Sequence, residues 1–553
     1  MKLPAHSNRL LPVELSRCKE EPLISKKPDL VETFPVASVF IMHSRSFRRM
    51  NRRLLSVSLL FASFGFSGPL FAQADAPAAV PVPVAELSLE ECVARALEKN
   101  FDLEIQRITT GQAKENVIVA ESEFDPSLDV TANRKFLQQP AAVSSVDGVT
   151  SVGLRNEGDG IRGGVSKKIS SGAVLSASTA LDRSKSNSRN LFLNPAYNGD
   201  LSFAIRQPLL KGAGSEVNRA AIRRAQIGVD RANFDLKGSV LDVVRNVEAA
   251  YYNLVFARGQ RTVRDLSLQL AQQLLEENRI RRQTGVATEL DVLQSEVGVA
   301  NARRNVLLAQ QTVNDREDAL QELIGQFEFN RPLGTVGFQA YDVPSVNFEN
   351  SYQLARANEP DLASLDASVR QLEIDARSAK HNQLPTLDVG GAVGFGSREN
   401  SYENAATRVW DGDGYDWQVD VALRFPWGLR EEKARYRLAQ TSVTREQTRY
   451  RQIDQNLMAD VRGAVRSLDT NRESVTISAL ATELSKRQYD LERERLNAGL
   501  STSRRVLEAQ DDLETARVND LQAKVTLRIA LAELQRLEGT SLSRFKITVA
   551  EIR

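Results

Sequence analysis

A chain of 553 residues is long enough for two or three ordinary domains with a sizeable core. Its formal charge of +1 leaves no basic footprint for nucleic acid and no bias toward an acidic substrate. Aromatic residues make up 6% and charged residues 26%, a mix that suits long solvated helices better than a β-rich globule.

The N-terminal part carries an export signal. Arg48-Arg49-Met50-Asn51-Arg52-Arg53 is a positive n-region, Leu54 to Phe66 an apolar run, and Ala72-Gln73-Ala74 a small-x-small cleavage site. The apolar run is short of the roughly 20 residues a spanning helix needs. Residues 50–74 are therefore expected to be a signal peptide, 1–49 an upstream extension lying before a true start at Met50 (or Met42), and 75–86 a Pro/Ala-rich tether. Cys18 and Cys92 make no disulfide framework. Cys92 falls inside a helical pattern and reads as a small packing residue.

The rest of the chain is duplicated, with repeat 1 at 87–329, a linker at 330–346, repeat 2 at 347–541 and a tail at 542–553. A shift of 259 (361 − 102) carries Asp102-Leu103 onto Asp361-Leu362 and Pro126-Ser127-Leu128-Asp129 onto Pro385-Thr386-Leu387-Asp388. A shift of 214 (499 − 285) carries Gly285, Thr288 and Val292-Leu293 onto Gly499, Thr502 and Val506-Leu507. Self-similarity of this kind makes a duplicated architectural element the unit of function.

Repeat 1 opens at Ser88, which with Glu91 forms a capping-box pattern. Helix is expected to about Glu123, stopping before Asp125-Pro126. Its equivalent runs from about Phe348 to Gln383 with a break at Pro360 that matches Asn100-Phe101. Beyond each proline the period changes to two: Leu201, Phe203 and Ile205 alternate with polar or small residues, and Trp417, Val419, Val421 and Leu423 do the same. Runs of about 8 to 10 residues approach the length of a tilted membrane strand. Repeat 1 has an additional candidate hairpin, Ile161 to Lys168 and Ala173 to Leu181. Polar tracts at 138–158, 183–199 and 397–415 are expected as loops. Gly158 to Gly164 reads as strand and loop material rather than a phosphate cradle.

Helix resumes from about Ser215 to Gln283 and from Arg430 to Asn497. Roughly seventy residues at about 1.5 Å each make a rod of about 105 Å, and the first copy is expected to be about one turn longer. Turns at Gly285 and Gly499 supply left-handed backbone, and Thr288 and Thr502 stand where they can cap the returning helices. Each long helix equals the sum of two shorter ones, 288–323 plus 89–124 and 502–537 plus 348–383, so stacked short helices can lie beside each long one.

The chain resembles the TolC-like outer-membrane efflux protein family (outer membrane factors) over nearly all of its mature length. The marks are the Leu87 to Glu91 helix opening, the Ala-x(5)-Pro passages at Ala120 and Ala379, Gln207-Pro208-Leu209-Leu210 closing a strand, and two Gly-x(6)-Val-Leu hairpins. The resemblance implies a mainly α fold with membrane β: a duplicated helix-strand-strand-helix repeat, assembled as a homotrimer into an α-helical barrel plus a transmembrane β-barrel. It implies an outer-membrane location with a periplasmic helical portion, no enzymatic activity, no cofactor and no nucleic acid. A periplasmic adaptor (membrane fusion) protein and an inner-membrane pump would be the partners, and outer-membrane lipid the surroundings. Gly285, Val286 and Thr288 with Gly499, Leu500 and Thr502 would form the adaptor-docking tips. Asp291, Arg504, Arg505 and Glu508 are pore-gate candidates, with an Asp291 to Arg505 ion pair holding the tip closed. The family's usual protomer has four strands, which the 161–181 hairpin exceeds. A conduit for type I protein secretion and a non-pore periplasmic coiled-coil adaptor stay open beside passive efflux of small molecules.

Overall fold

The computed structural model describes residues 87–143, 150–151, 153–188, 191–326, 333–338, 345–411 and 414–548. The expected extension, signal peptide and tether lie outside these residues.

Local rules account for the opening helices. The Ser88 hydroxyl accepts the Glu91 amide and starts α1 (Leu89–Lys99), whose Leu89, Cys92, Val93 and Ala96 are buried at helical spacing. Burial pushes the Cys92 thiol up to about 12, as befits a packing residue. Asn100 breaks the helix and caps the next, its Oδ1 accepting the Asp102 and Leu103 amides at the start of α2 (Phe101–Glu121). Repeat 2 reproduces the pair as α6 (Phe348–Asn358) and α7 (Pro360–His381), with Pro360 in the first turn, where a missing amide hydrogen costs nothing.

The long helices are α4 (Ala220–Gln283) of 64 residues and α9 (Arg430–Asn497) of 68. The extra turn expected in the first copy exists as a separate turn, α3 (Ser215–Asn218), set off at Arg219. Gly212 and Gly214, both at positive φ, bend the chain there, and Asn218 Nδ2 donates to the carbonyls of both. The continuous helix of the first copy is therefore the shorter one. The returning helices are α5 (Glu289–Leu323) and α10 (Ser503–Glu538), followed by the short α11 (Thr540–Arg544).

Packing matches the length arithmetic. Along one side of α4 lie α5 and, beyond its end, α1 and α2; along the other lie α10 and α7, which also pack on α9. The result is a slab four helices wide, with α5 and α2 at one margin and α9 at the other. Its largest apolar core surrounds Leu89, Leu103, Val240, Val247, Tyr251 and Leu320, and a second core joins α6 and α7 to Val461, Leu468 and Leu534.

Above the slab stands one antiparallel sheet of six strands. The strands are β1 (Ser127–Gln138), β2 (Arg155–Lys168), β3 (Val174–Ser186), β4 (Ala196–Pro208), β5 (Thr386–Glu399) and β6 (Gly414–Arg424), paired in sequence order. A shift of 259 maps β1 onto β5, and one of 218 maps the start of β4 onto that of β6. The β2–β3 hairpin is thus the insertion, and it lies between β1 and β4 in the same sheet. The strands also extend into all three tracts expected as loops; within these, Ala142–Val143 and Thr150–Ser151 add a two-residue ladder. The 169–173 turn faces the helices, while the ends of β1 and β2 at Gln138 and Arg155, of β3 and β4 at Ser186 and Ala196, and of β5 and β6 at Glu399 and Gly414 lie at the far end. The β5–β6 connection contains α8 (Tyr402–Arg408), packed on β4 and β5.

One charge is buried in the main core. Glu248 of α4 lies 3.3 Å from Arg544 of α11, yet its burial outweighs the guanidinium and pushes its carboxyl up to about 7. A carboxyl raised on folding adds stability that is complete below its ordinary value of 4.5 and fades as pH rises through about 7. Glu248→Gln keeps the shape without the charge. Its Tm should match the wild type near pH 5 and exceed it near pH 8; a difference that does not change across that window contradicts the assignment.

Candidate functional site

The sheet has two chemically opposite faces, because successive side chains in a strand point to opposite sides and paired residues share a side. One cross-strand row runs Leu128, Val165, Ala177, Phe203, Val393, Trp417. The row beside it runs Ser127, Ser166, Ser176, Ala204, Ala392, Gln418, and the next but one along β1 runs Asp129, Gly164, Ser178, Ser202, Gly394, Asp416. The apolar face is uncovered in the single chain: Trp417 is 70% exposed and Leu128 73%. So large an exposed apolar surface marks contact with lipid or protein.

The polar face carries both signs of charge, including Arg162 with Asp182 at 3.5 Å and Arg206 with Asp420 at 3.4 Å. It also explains glycines that look out of place in a strand. A Cβ at Gly164, Gly390 or Gly394 would meet the carboxylate of Asp129, Asp420 or Asp416 at 2.9, 2.5 or 2.4 Å. Each aspartate leans over the glycine opposite it, so the glycine gives space to its neighbour. Neither outer strand, β1 or β6, has a partner on its free side among the described residues. No described helix is long and apolar enough to cross a membrane.

At the other end of the slab the two hairpin tips lie side by side. Gly285 and Gly499 hold φ of 76° and 74°, the left-handed values their turns require. Val286 and Leu500 are 75% and 71% exposed at the extremities. Arg281 joins the tips, donating to the Leu496 carbonyl at 3.1 Å and to Asn497 Oδ1 at 2.8 Å. Arg493 reaches back to Glu277 at 2.9 Å.

The two caps differ. Thr288 and Asp291 form a reciprocal capping box. Thr502 occupies the equivalent position without a side-chain cap; the neighbouring Ser501 bonds to Glu492 instead. The expected Asp291 to Arg505 ion pair is not formed within the chain; one Asp291 carboxylate oxygen accepts the amide and hydroxyl of Thr288 at 2.9 and 2.6 Å instead. Arg504 pairs with Glu508 one turn along its own helix at 2.9 Å. Arg505 stands near Glu492, whose carboxyl is held low first by the Ser501 hydroxyl and then by Arg495 and Arg505.

Behind the tips runs a buried polar seam that the motifs and repeats do not reveal. Asn278 Nδ2 donates to Ser295 Oγ at 2.7 Å, and Ser503 Oγ donates to Asn278 Oδ1 at 3.1 Å. All three side chains are buried, Asn278 to 1% exposure, and they tie α4, α5 and α10 together. Further along, Gln510 donates to Ser267, and Arg264 pairs with Glu514. The signal was present in the spacing: Ser267, Ala271, Leu274 and Asn278 form one helical stripe, with polar residues at two core positions. Among the described residues no group of His, Cys, Asp and Glu could hold a metal ion. His381 ends α7 and its Nε2 accepts the Gly212 amide, a structural role.

The outer membrane efflux protein family model matches residues 174–326 and 351–540, one stretch in each repeat. The chain belongs to the outer membrane efflux protein family. It is 27% identical over 325 residues to the pyoverdine export outer membrane protein OpmQ of Pseudomonas putida, spanning 57% of this chain and 66% of that protein, just under two thirds. With OpmQ of Pseudomonas aeruginosa it shares 24% identity over 446 residues, 80% of this chain and 82% of the relative. The Campylobacter jejuni CmeC outer membrane channel has the same fold, with a TM-score of 0.61 at 18% identity over 82% of this chain and 85% of that one. The protein lies in the outer membrane with its helical portion in the periplasm.

Asn278→Ala leaves two buried hydroxyls short of a partner, a loss on the order of 1–3 kcal/mol confined to the tip. Amide exchange should quicken at 275–300 and 495–510 while the main core stays protected. Uniform acceleration, or none, contradicts a local clamp.

Proposed function

We propose that this chain is the outer-membrane component of a tripartite export system, a passive duct that carries small molecules across the periplasm and outer membrane. The observation that carries the reading is the six-stranded sheet with one lipid-compatible face, one polar face and two open margins, mounted on a slab of long helices. A non-pore adaptor needs the helices but has no use for such a sheet. In the proposed assembly three copies close the sheet into a transmembrane barrel and the slabs into a helical barrel, with the apolar strand face toward lipid and the polar face toward the lumen.

Gly285, Val286 and Thr288 with Gly499, Leu500 and Thr502 are the proposed docking surface for a periplasmic adaptor protein, since Val286 and Leu500 offer exposed apolar side chains at the far end of the slab. An inner-membrane pump would supply the energy. Small-molecule cargo is preferred over secreted protein because two relatives are named for pyoverdine export. Asp291, Arg504, Arg505 and Glu508 remain the proposed gate residues.

Purified protein in planar bilayers should conduct, and Arg505→Glu should move the reversal potential toward cation preference and alter antibiotic sensitivity in cells. A non-conducting, lipid-free product overturns the duct; wild-type selectivity and sensitivity in the variant remove Arg505 from the gate.

A further inference from the structure

The open margins of the sheet fit each other in one register. We infer that β6 of one copy pairs with β1 of the next with Val419 opposite Ala132, so that each copy adds six strands to a shared barrel; this rests on the assembly proposed above. Strand direction permits it. Six strands alternating up and down leave β1 and β6 antiparallel, so one copy's β6 meets the next copy's β1 as an ordinary antiparallel neighbour.

The apolar band fixes the tilt. Its midpoint on β1 is Ala132, between Leu128 and Phe136; on β6 it is Val419, between Tyr415 and Leu423. Traced across the pairs, Val419 aligns with Gly391, Ile205, Leu175 and Lys167, whereas Ala132 aligns with Ile161. The band therefore slips 167 − 161 = 6 residues in the five steps from β1 to β6. At about 3.4 Å per residue and about 4.8 Å per strand, a level band needs strands tilted by about 40°. That is the tilt of a membrane barrel, about 35–45°, obtained here from the register alone.

Carrying the same slip one step further sets Val419 of one copy opposite Ala132 or Arg134 of the next, since the apolar faces must coincide. The rest of the strand chooses Ala132. Gly414 to Arg424 then pairs flush with residues 127–137, leaving no overhang on β6. On the lipid face Tyr415 meets Phe136, Trp417 meets Arg134, and Leu423 meets Leu128. On the lumen face Asp416 meets Lys135. The alternative register would put Asp416 opposite Leu137 and push the end of β6 past β1.

The strand count bears on transport. Three such copies give a barrel of about eighteen strands, with a backbone diameter of about 36 Å, against about 24 Å for three copies of four strands each. Size selection then falls to the helical tip, and the membrane barrel admits whatever the tip releases.

The test uses the full chain in outer membranes with Cys92→Ala as background. Gln418→Cys combined with Asn133→Cys places two thiols directly opposite across the proposed seam. Oxidation should give a non-reducing gel ladder ending at the covalent trimer, with neither single variant nor Gln418→Cys with Asp129→Cys cross-linking. A native trimer that cross-links only in the 418 and 129 combination, or in neither, overturns the register and leaves the trimer standing. A ladder ending at another size, or a monomer by mass, overturns the assembly itself. Charge exchange is the second arm: Asp416→Lys should lose the heat-resistant oligomer and Asp416→Lys with Lys135→Asp should restore it. Failure of that restoration beside an intact single-variant oligomer also counts against the pairing.

Discussion

A strand margin cannot lie in hydrocarbon. Each unpaired amide or carbonyl there costs several kcal/mol with no water to relieve it, so a sheet that faces lipid must close on itself. This chain presents an apolar strand face to its surroundings but leaves β1 and β6 without partners among the described residues. Six strands are too few to close at a membrane tilt, and the proposed assembly is what would supply the missing partners. The duplicated helices fit the same proposal: a long helix beside two stacked short ones makes a flat slab with two free margins, which in the proposed assembly continues around a ring with the sheet.

Energy is distributed unevenly along that slab. Midway along the slab, α4 packs into an apolar core around Val240, Val247 and Tyr251, where burial and dispersion supply most of the contact and the Tyr251 hydroxyl donates to the Gly337 carbonyl. Toward the tips its inward stripe admits Ser267 and Asn278, so hydrogen bonds to α5 and α10 join a smaller apolar core around Leu274, Val506 and Leu513. Buried hydrogen bonds fix a register sharply yet add little net stability, since water can replace them when the helices part. The tip end is thus closely specified around a smaller apolar core, a combination that suits the proposed duct.

Much of this was legible in the residues. Asn100, Pro360, Gly285 and Gly499 mark breaks because each changes what the backbone can do locally, and local rules carry over intact into the fold. The full length of the strands was not. Arg155 to Gly158 reads as loop by composition, yet it pairs in register with β1 on one side and, from Asn156, with β3 on the other. Thr502 has the same sequence context as Thr288, yet only Thr288 caps, since the residue three positions on is Asp291 in one copy and Arg505 in the other. The β2–β3 hairpin was visible as an insertion, but its place between β1 and β4 depends on pairing over long sequence distances that periodicity alone does not encode.

The central claim is that one face of the sheet meets lipid and the other an aqueous lumen. Single cysteines along β6 from Tyr415 to Leu423, labelled with an environment-sensitive fluorophore in native membranes, address it directly. Labels at Tyr415, Trp417, Val419, Val421 and Leu423 should be quenched by lipid-soluble agents, and those at Asp416, Gln418, Asp420 and Ala422 by aqueous ones. Quenching that does not alternate along the strand, or that is aqueous at every position, contradicts it.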